Sequence, residues 1–363
     1  MDDLKYWLAL GQFYKFGPVK FKRLKNYFPD MASAFKATAK EMLAAGLDEK
    51  TAEEFIIFRR QIEPDKLIED LAREKIKVLT IDQPAYPKLL KQIYDPPGLI
   101  YYRGDPEAFT GFALAVVGTR KFTPYGQQVA EKLVKELALN NLTIVSGLAM
   151  GIDALAHSAA LQAGGKTIAV LGSGLDQQNI YPSQNRYLSD KIQASGGLIM
   201  SEYPIGTLPL KHHFPQRNRL ISGLSHATLV IEAGEKSGAL ITAMHALEQN
   251  REVFAIPGSI YSQSSAGTNS LIKLGAKLIA GARDIIESLN LAAAAAYIEN
   301  KKIIPESAEE ELILKQLSYE PVHVDELKNL TRLDTSVINS TLTLMEMKGI
   351  VKNLGGMNYV LAR

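Results

Sequence analysis

Apolar residues recur at helical spacing through the first part of the chain, in Leu4, Trp7, Leu8 and Leu10, in Phe21, Leu24, Tyr27 and Phe28, and from Phe35 onward. Strand signal is slight there, so residues 1–68 read as a small helical domain. From about Glu69 the pattern changes. A helical Leu71–Glu74, a strand-like Ile76–Ile81 and a proline-rich passage through Tyr86-Pro87 and Asp95-Pro96-Pro97-Gly98 lead into a regular alternation of short apolar runs and longer amphipathic ones. Strands are predicted at Leu114–Val117, Leu142–Val145, Thr167–Leu171, Leu198–Met200, Leu229–Ile231, Glu252–Ile256 and Lys277–Ile279. Helices are predicted at Pro124–Leu139, Ile152–Ala163, Ser183–Ala194, Ala239–Gln249 and Thr268–Leu274.

Strands this apolar and β-branched, each followed by an amphipathic helix, predict an α/β domain over residues 69–290, with a doubly wound, mostly parallel sheet covered on both faces. Small and polar residues fall immediately after the strands, at Gly118-Thr119-Arg120, Ser146-Gly147, Gly172-Ser173-Gly174, Ser201-Glu202, Glu232-Ala233-Gly234 and Pro257-Gly258. They therefore gather on the carboxyl edge of the sheet, where open α/β sheets bind ligands. The run Leu291–Ala296, LAAAAA, with Pro305 after it, reads as a linker or the end of a capping helix. Beyond it, residues 306–363 predict three short helices, at Glu310–Leu317, at Val324–Leu330 and from a cap at Asp334 to about Lys348, then a hairpin turning at Gly355-Gly356. That is the pattern of a winged helix.

Charge changes this picture locally rather than globally. The 363 residues carry a formal net charge of +2, so attraction to a polyanion has to come from a patch. The winged-helix segment holds 6 Lys and Arg against 9 Asp and Glu, a net of −3, which favours a protein contact over DNA groove binding. In the helical domain, the turn Phe16-Gly17-Pro18 followed by Val19–Lys25, and Ala45-Gly46-Leu47-Asp48 followed by a helix, read as two halves of a helix-hairpin-helix, with five bases and no acid from Lys15 to Lys25. Such a unit sets a helix N-terminus against a phosphate, though a helical packing module with a solvated basic face fits equally. The chain contains no Cys, which excludes disulfides, thiolate catalysis and Cys-ligated zinc. The acidic start MDDLKYWLAL is unlike a signal peptide and no window reaches the ~20 apolar residues of a membrane span, so a soluble cytoplasmic protein is expected.

Candidate chemistry centres on residues 211–243. Lys211, Arg217 and Arg219 accompany His212, His213, Phe214 and Asn218 with no acid among them, the composition of a site for an anionic polymer with stackable faces. A strand at 228–231, the loop Glu232–Gly238 and a helix from about Ala239 then make an anion-binding geometry, with Ser237 and Gly238 at the helix start. Arg120 sits beside a βα turn in which Thr123 caps and Pro124 opens a helix. Gly172-Ser173-Gly174 lacks the third glycine of a dinucleotide fingerprint, with Gln177 in its place. Ser146, Asp153 and His157 have the residue types of a hydrolase constellation, but the nucleophile elbow is missing and a packed histidine is the plainer reading. No Walker loop or metal-ligand spacing occurs, and no cofactor is expected.

In order and spacing, Val117–Arg120, SGLAMGID from Ser146, GSGLD from Gly172 with Tyr181-Pro182 and Asn185, Ser201–Pro204, FPQRNRLISGLS from Phe214, EAGEKSGALITA from Glu232 and REVFAIPG from Arg251 resemble the DNA-processing protein DprA/Smf family. One departure is Met150, where many members carry Arg. The resemblance implies a Rossmann-like core, preceded by a SAM or helix-hairpin-helix-like domain and followed by a winged helix. It implies a non-enzymatic protein of natural transformation and recombination that binds and protects single-stranded DNA, forms a homodimer and helps load the RecA recombinase. By motif, the DNA pocket would comprise Gly118, Thr119, Arg120, Ser146, Gly147, Lys211, Phe214, Arg217, Asn218, Arg219, Ser237 and Gly238. A similar sheet occurs in nucleotide-cleaving enzymes of the lysine-decarboxylase-like fold. Their PGGxGTxxE signature is replaced here by Glu232-Ala233-Gly234-Glu235-Lys236-Ser237-Gly238.

Overall fold

The computed structural model describes residues 3–289, 307–317, 321–348 and 350–361. The chain divides into two compact units, residues 1–282 and 283–363. The alanine run and Pro305 lie outside the described residues.

The first unit opens with helices α1 (Leu4–Gly11), α2 (Pro18–Tyr27), α3 (Met31–Lys36), α4 (Ala39–Ala44), α5 (Glu49–Phe58) and α6 (Pro64–Arg73). Short polar residues start several of them: Asp30, Thr38 and Asp48 each accept from a backbone N–H three residues on. A nine-stranded sheet follows. Its strands are β1 (Lys77–Thr80), β2 (Leu99–Gly104), β3 (Ala113–Val117), β4 (Thr143–Ser146), β5 (Thr167–Val170), β6 (Leu198–Ser201), β7 (Ala227–Val230), β8 (Glu252–Ala255) and β9 (Lys277–Leu278). Their spatial order is β1-β2-β6-β5-β4-β3-β7-β8-β9. From β6 to β9 every pairing is parallel, while β2 runs antiparallel to both β6 and β1.

The apolar runs become parallel strands because helices cover both faces, so that β3, β4, β5, β6 and β7 are buried along their whole length. β2 carries no such local signal: it follows three prolines and pairs antiparallel between the edge strand β1 and β6, outside the βα rhythm that marks the parallel strands. Its alternate side chains still divide between faces. Leu99 and Tyr101 join a core with Trp7, Phe13 and Phe55 of the helical region, and Ile100 and Tyr102 join the core on the other side. The helical region thus shares one hydrophobic core with the sheet.

The order of the strands fixes where a crevice opens. From β3 the chain winds outward through β4, β5 and β6, then crosses back to β7 on the other side of β3 and continues outward to β9. The carboxyl ends of β3 and β7 are therefore the topological switch point, the place where the flanking loops diverge and leave a cleft. The crossing passes through α11 (His213–Gly223), and helices α7 (Lys88–Lys91), α8 (Pro124–Leu139), α9 (Ile152–Gln162), α10 (Arg186–Ala194), α12 (Gly238–Glu248) and α13 (Ala266–Lys273) lie in the other connections.

In the second unit, helices Ala308–Leu314, Val324–Thr331 and Thr335–Met347 pack around Ile313, Leu327, Ile338 and Leu342. A three-stranded sheet of Val322–His323, Asn358–Leu361 and Val351–Asn353 completes a winged helix. Asp334 occupies the capping position of the third helix, but its side chain makes no capping hydrogen bond.

Candidate nucleic-acid interface

A cavity of about 740 Å³ occupies the switch point. Its walls come from the loop after β3, the loop after β7 and one face of α11. The loop after β3 is held from below. Thr119 donates its N–H to the Glu232 carbonyl at 2.7 Å, and the buried Glu232 carboxylate accepts from the Thr123 N–H and hydroxyl, both at 2.9 Å. Thr123 in turn accepts from the Gly126 N–H and caps α8. Gly118 permits close approach to α9, since a Cβ there would lie 2.6 Å from Ile152 Cγ1.

These constraints leave Arg120 exposed at the cavity wall, with its guanidinium carbon 5.9 Å from the centre of the Phe214 ring. Phe214 packs at 5.5 Å against Tyr181, which is half exposed. Lys211 and Lys236 line the same cavity, exposed, and among the described residues neither they nor Arg120 has an ion-pair partner. Ser237 caps α12 and accepts from the Ala239 N–H at 3.4 Å, which puts the start of that eleven-residue helix on the cavity rim. Asn218 ties α11 to this rim by donating to the Gly238 carbonyl at 3.3 Å. Cations, a two-ring aromatic surface and a helix N-terminus thus face one space, a combination suited to a phosphodiester and its bases.

The remaining site candidates are divided by burial. Arg217 lines the cavity floor, but its guanidinium is committed: Nη1 donates to the Gly147 carbonyl at 2.8 Å and to the Val170 carbonyl. Burial pulls its pKa down to about 10, with the Asp153 carboxylate opposing that shift. Burial likewise raises Asp153, which accepts from the Gly147 N–H at 3.1 Å. Gly147 has no room for a side chain, because a Cβ would come within 2.6 Å of Arg217 Nη2. Arg217 and Gly147 therefore form the floor of the cleft, with Arg217 Nη1 spent on the two carbonyls and Nε donating to Asn218 Oδ1 at 3.2 Å. Ser146 is fully buried and donates to the Val116 carbonyl at 2.6 Å. It pins β4 to β3 and does not reach the cavity.

Arg219 departs furthest from expectation. Its place two residues after Arg217 turns it to another side of α11, where it pairs with Asp95 at 3.1 Å and with Glu202. The acid-free run 211–219 is thus met by acids from the residue after β6 and from the proline-rich passage, which sequence proximity does not reveal. His157 is buried, bonded to Thr167 Oγ1 at 2.7 Å and pulled down to about 3 by burial, so it stays neutral. Neither Ser146 nor Asp153 bonds to it, and the hydrolase arrangement does not form. The basic face of the helical region is largely neutralised: Lys15 pairs with Glu54, Lys20 with Asp48 at 2.9 Å and Lys25 with Asp82 at 2.7 Å. Arg23 donates to the Gly46 carbonyl. Lys236 and Tyr181 join the cavity although sequence reasoning did not select them, and the loop EAGEKSG and the dipeptide Tyr181-Pro182 were their only signals. No group of acids and histidines that could hold a metal occurs among the described residues.

A doubly wound Rossmann-like sheet with a cationic, aromatic-lined cleft at its switch point defines the class of open α/β proteins that take a ligand at the carboxyl edge of the sheet. Comparison narrows this. Residues 77–290 match the family described as DNA recombination-mediator protein A, and residues 299–357 match the DprA winged helix domain. The chain belongs to the DprA/Smf family. It is 38% identical to protein Smf of Synechocystis sp. over 99% of this chain and 98% of that one. An X-ray structure of DNA processing protein A from Streptococcus pneumoniae is similar over 78% of this chain and 97% of that one, with 37% identity and a TM-score of 0.67. DNA processing protein A from Helicobacter pylori, whose structure concerns its single-stranded DNA binding mode, is similar over 60% of this chain and 97% of that one, with 34% identity and a TM-score of 0.54.

Proposed function

We propose that the cleft at the switch point binds single-stranded DNA. Arg120, Lys211 and Lys236 neutralise phosphates, the N–H groups at the start of α12 hold backbone oxygens, and a base stacks on the Phe214 and Tyr181 rings. The observation that carries this reading is the grouping of three exposed cations without acidic partners around an aromatic surface. Contacts to phosphates and to ring faces carry little sequence information, so recognition is unselective among bases. The protein acts without catalysis, as a binder and protector of incoming strands in natural transformation and recombination. Family membership supports the two further parts of this reading, a homodimer and delivery of the strand to RecA.

The test is fluorescence anisotropy of labelled oligo-dT and of its duplex with purified protein, alongside Arg120→Ala and Lys211→Glu. Tight binding of the single strand, weaker binding of the duplex and at least about tenfold loss in each variant, with circular dichroism unchanged, is the expected result. Equal binding of both DNA forms, or variants that bind like the parent, would overturn the proposal.

A further inference from the structure

The side of α11 that turns away from the first cavity borders a second one, of about 470 Å³, between the sheet edge and the helical region. The two sets of lining residues follow the helical repeat. Phe214, Arg217, Asn218 and Ile221 face the first cavity, while His212, Gln216 and Arg219 face the second. Lys211 and His212 stand next to each other where the helix begins, both exposed, so a strand leaving the first cavity over this end arrives directly at the second.

The second cavity is built differently. Phe13, Phe16 and Phe21 give it an aromatic lining, to which Tyr203 adds a ring stacked on His213 at 4.2 Å. Its charge is inverted, because Arg219 is shared by two carboxylates, Asp95 and Glu202. That surplus of acid repels a phosphate and accepts a neutral ring. Four buried polar atoms of its lining residues have no hydrogen-bond partner among the described residues: Tyr101 Oη, Glu202 Oε1, His213 Nδ1 and Arg219 Nη1. Tyr101 is 2% and Arg219 8% exposed, so these atoms are removed from water, although the Arg219 guanidinium is otherwise paired with Asp95 and Glu202. Glu202 Oε1 accepts and Arg219 Nη1 donates. Every nucleobase offers a donor and an acceptor on adjacent atoms of its pairing edge, and so matches both once the two side chains turn toward the cavity.

We infer that this second cavity is a nucleobase site, in which a base enters along the aromatic lining toward Glu202 and Arg219 while its phosphate remains outside near the start of α11. The inference rests on the single-strand reading of the first cavity where the base belongs to the same strand. A free mononucleotide presents the same chemistry.

Photocrosslinking separates the outcomes with the full-length protein. Oligo-dT carrying 5-iododeoxyuracil at each position in turn is irradiated in the complex, and the crosslinked peptides are mapped. Two clusters are expected, one at Phe214 or Tyr181 and one at Tyr203, Tyr14 or Phe16. Gly17→Trp supplies the matching variant. Gly17 lines the cavity, its backbone is extended with φ −68° and ψ 175°, and no heavy atom lies within 4 Å of where a Cβ would sit. The indole should fill the cavity, abolish the second cluster and weaken binding of a long oligo-dT at least about fivefold, the value of one stacked base. In a parallel arm without DNA, 8-azidoadenosine monophosphate that labels the second cluster, while the strand does not, would support a nucleobase site that takes free nucleotide. Strand crosslinks confined to Phe214 and Tyr181 with no azido labelling near Tyr203 would overturn the second site and leave the first intact. Absence of crosslinks at both clusters would overturn the single-strand reading as well.

Discussion

Arg120, Arg217 and Arg219 look interchangeable in the sequence, and burial makes them three different residues. Arg120 is exposed and has no acidic partner among the described residues, Arg217 is buried against carbonyls beside Asp153, and Arg219 is held between Asp95 and Glu202. Their substitutions should therefore separate binding from stability. Arg217→Ala leaves the Asp153 carboxylate buried without its counter-charge, and should cost about 3 kcal/mol or more in urea unfolding. Arg120→Ala removes no buried contact and should stay within about 0.5 kcal/mol of the parent. Similar losses of stability in both would mean that Arg120 is structural. The sequence identifies the chemistry of these side chains, but their direction depends on which strands and loops stand opposite, and that information is long-range. Ser146 illustrates the same limit: its position after a strand is legible, and its bond to Val116 across the sheet is not.

At the scale of elements, the βα turns were legible because their signals are local. Thr123 and Pro124 announce the start of α8, and Ser237 with Gly238 announces α12. The helix α11 was not, since His212-His213-Phe214-Pro215 contains no helix-favouring run, although Pro215 is tolerated in a first turn. Nor did local signals expose Glu232. This carboxylate follows β7 in a glycine loop and yet clamps the start of α8 through two hydrogen bonds to Thr123. Glu232→Ala should lose about 2 kcal/mol of stability and release the turn that presents Arg120, weakening oligo-dT binding as well. Denaturation and anisotropy on the same sample check this, and full affinity in a destabilised variant would show that the turn is held by other contacts.

For the whole molecule, the reversal of strand order at β3 and β7 places the cleft, and the sheet's covering helices decide what faces it. A formal net charge of +2 gives little long-range attraction, so affinity for a polyanion has to reside in the few cations of the cleft. The alternation of strands and helices made the doubly wound core legible, whereas the antiparallel edge formed by β1 and β2 and the core it shares with the helical region depend on contacts distant in sequence. The central claim, that Arg120, Lys211 and Lys236 read phosphates, is tested most directly by the salt dependence of oligo-dT affinity. For three phosphate contacts on a single strand, the slope of log K against log salt should be about −2, and Arg120→Ala should reduce its magnitude by about 0.7. An affinity indifferent to salt, or a slope unchanged by the substitution, would contradict the account.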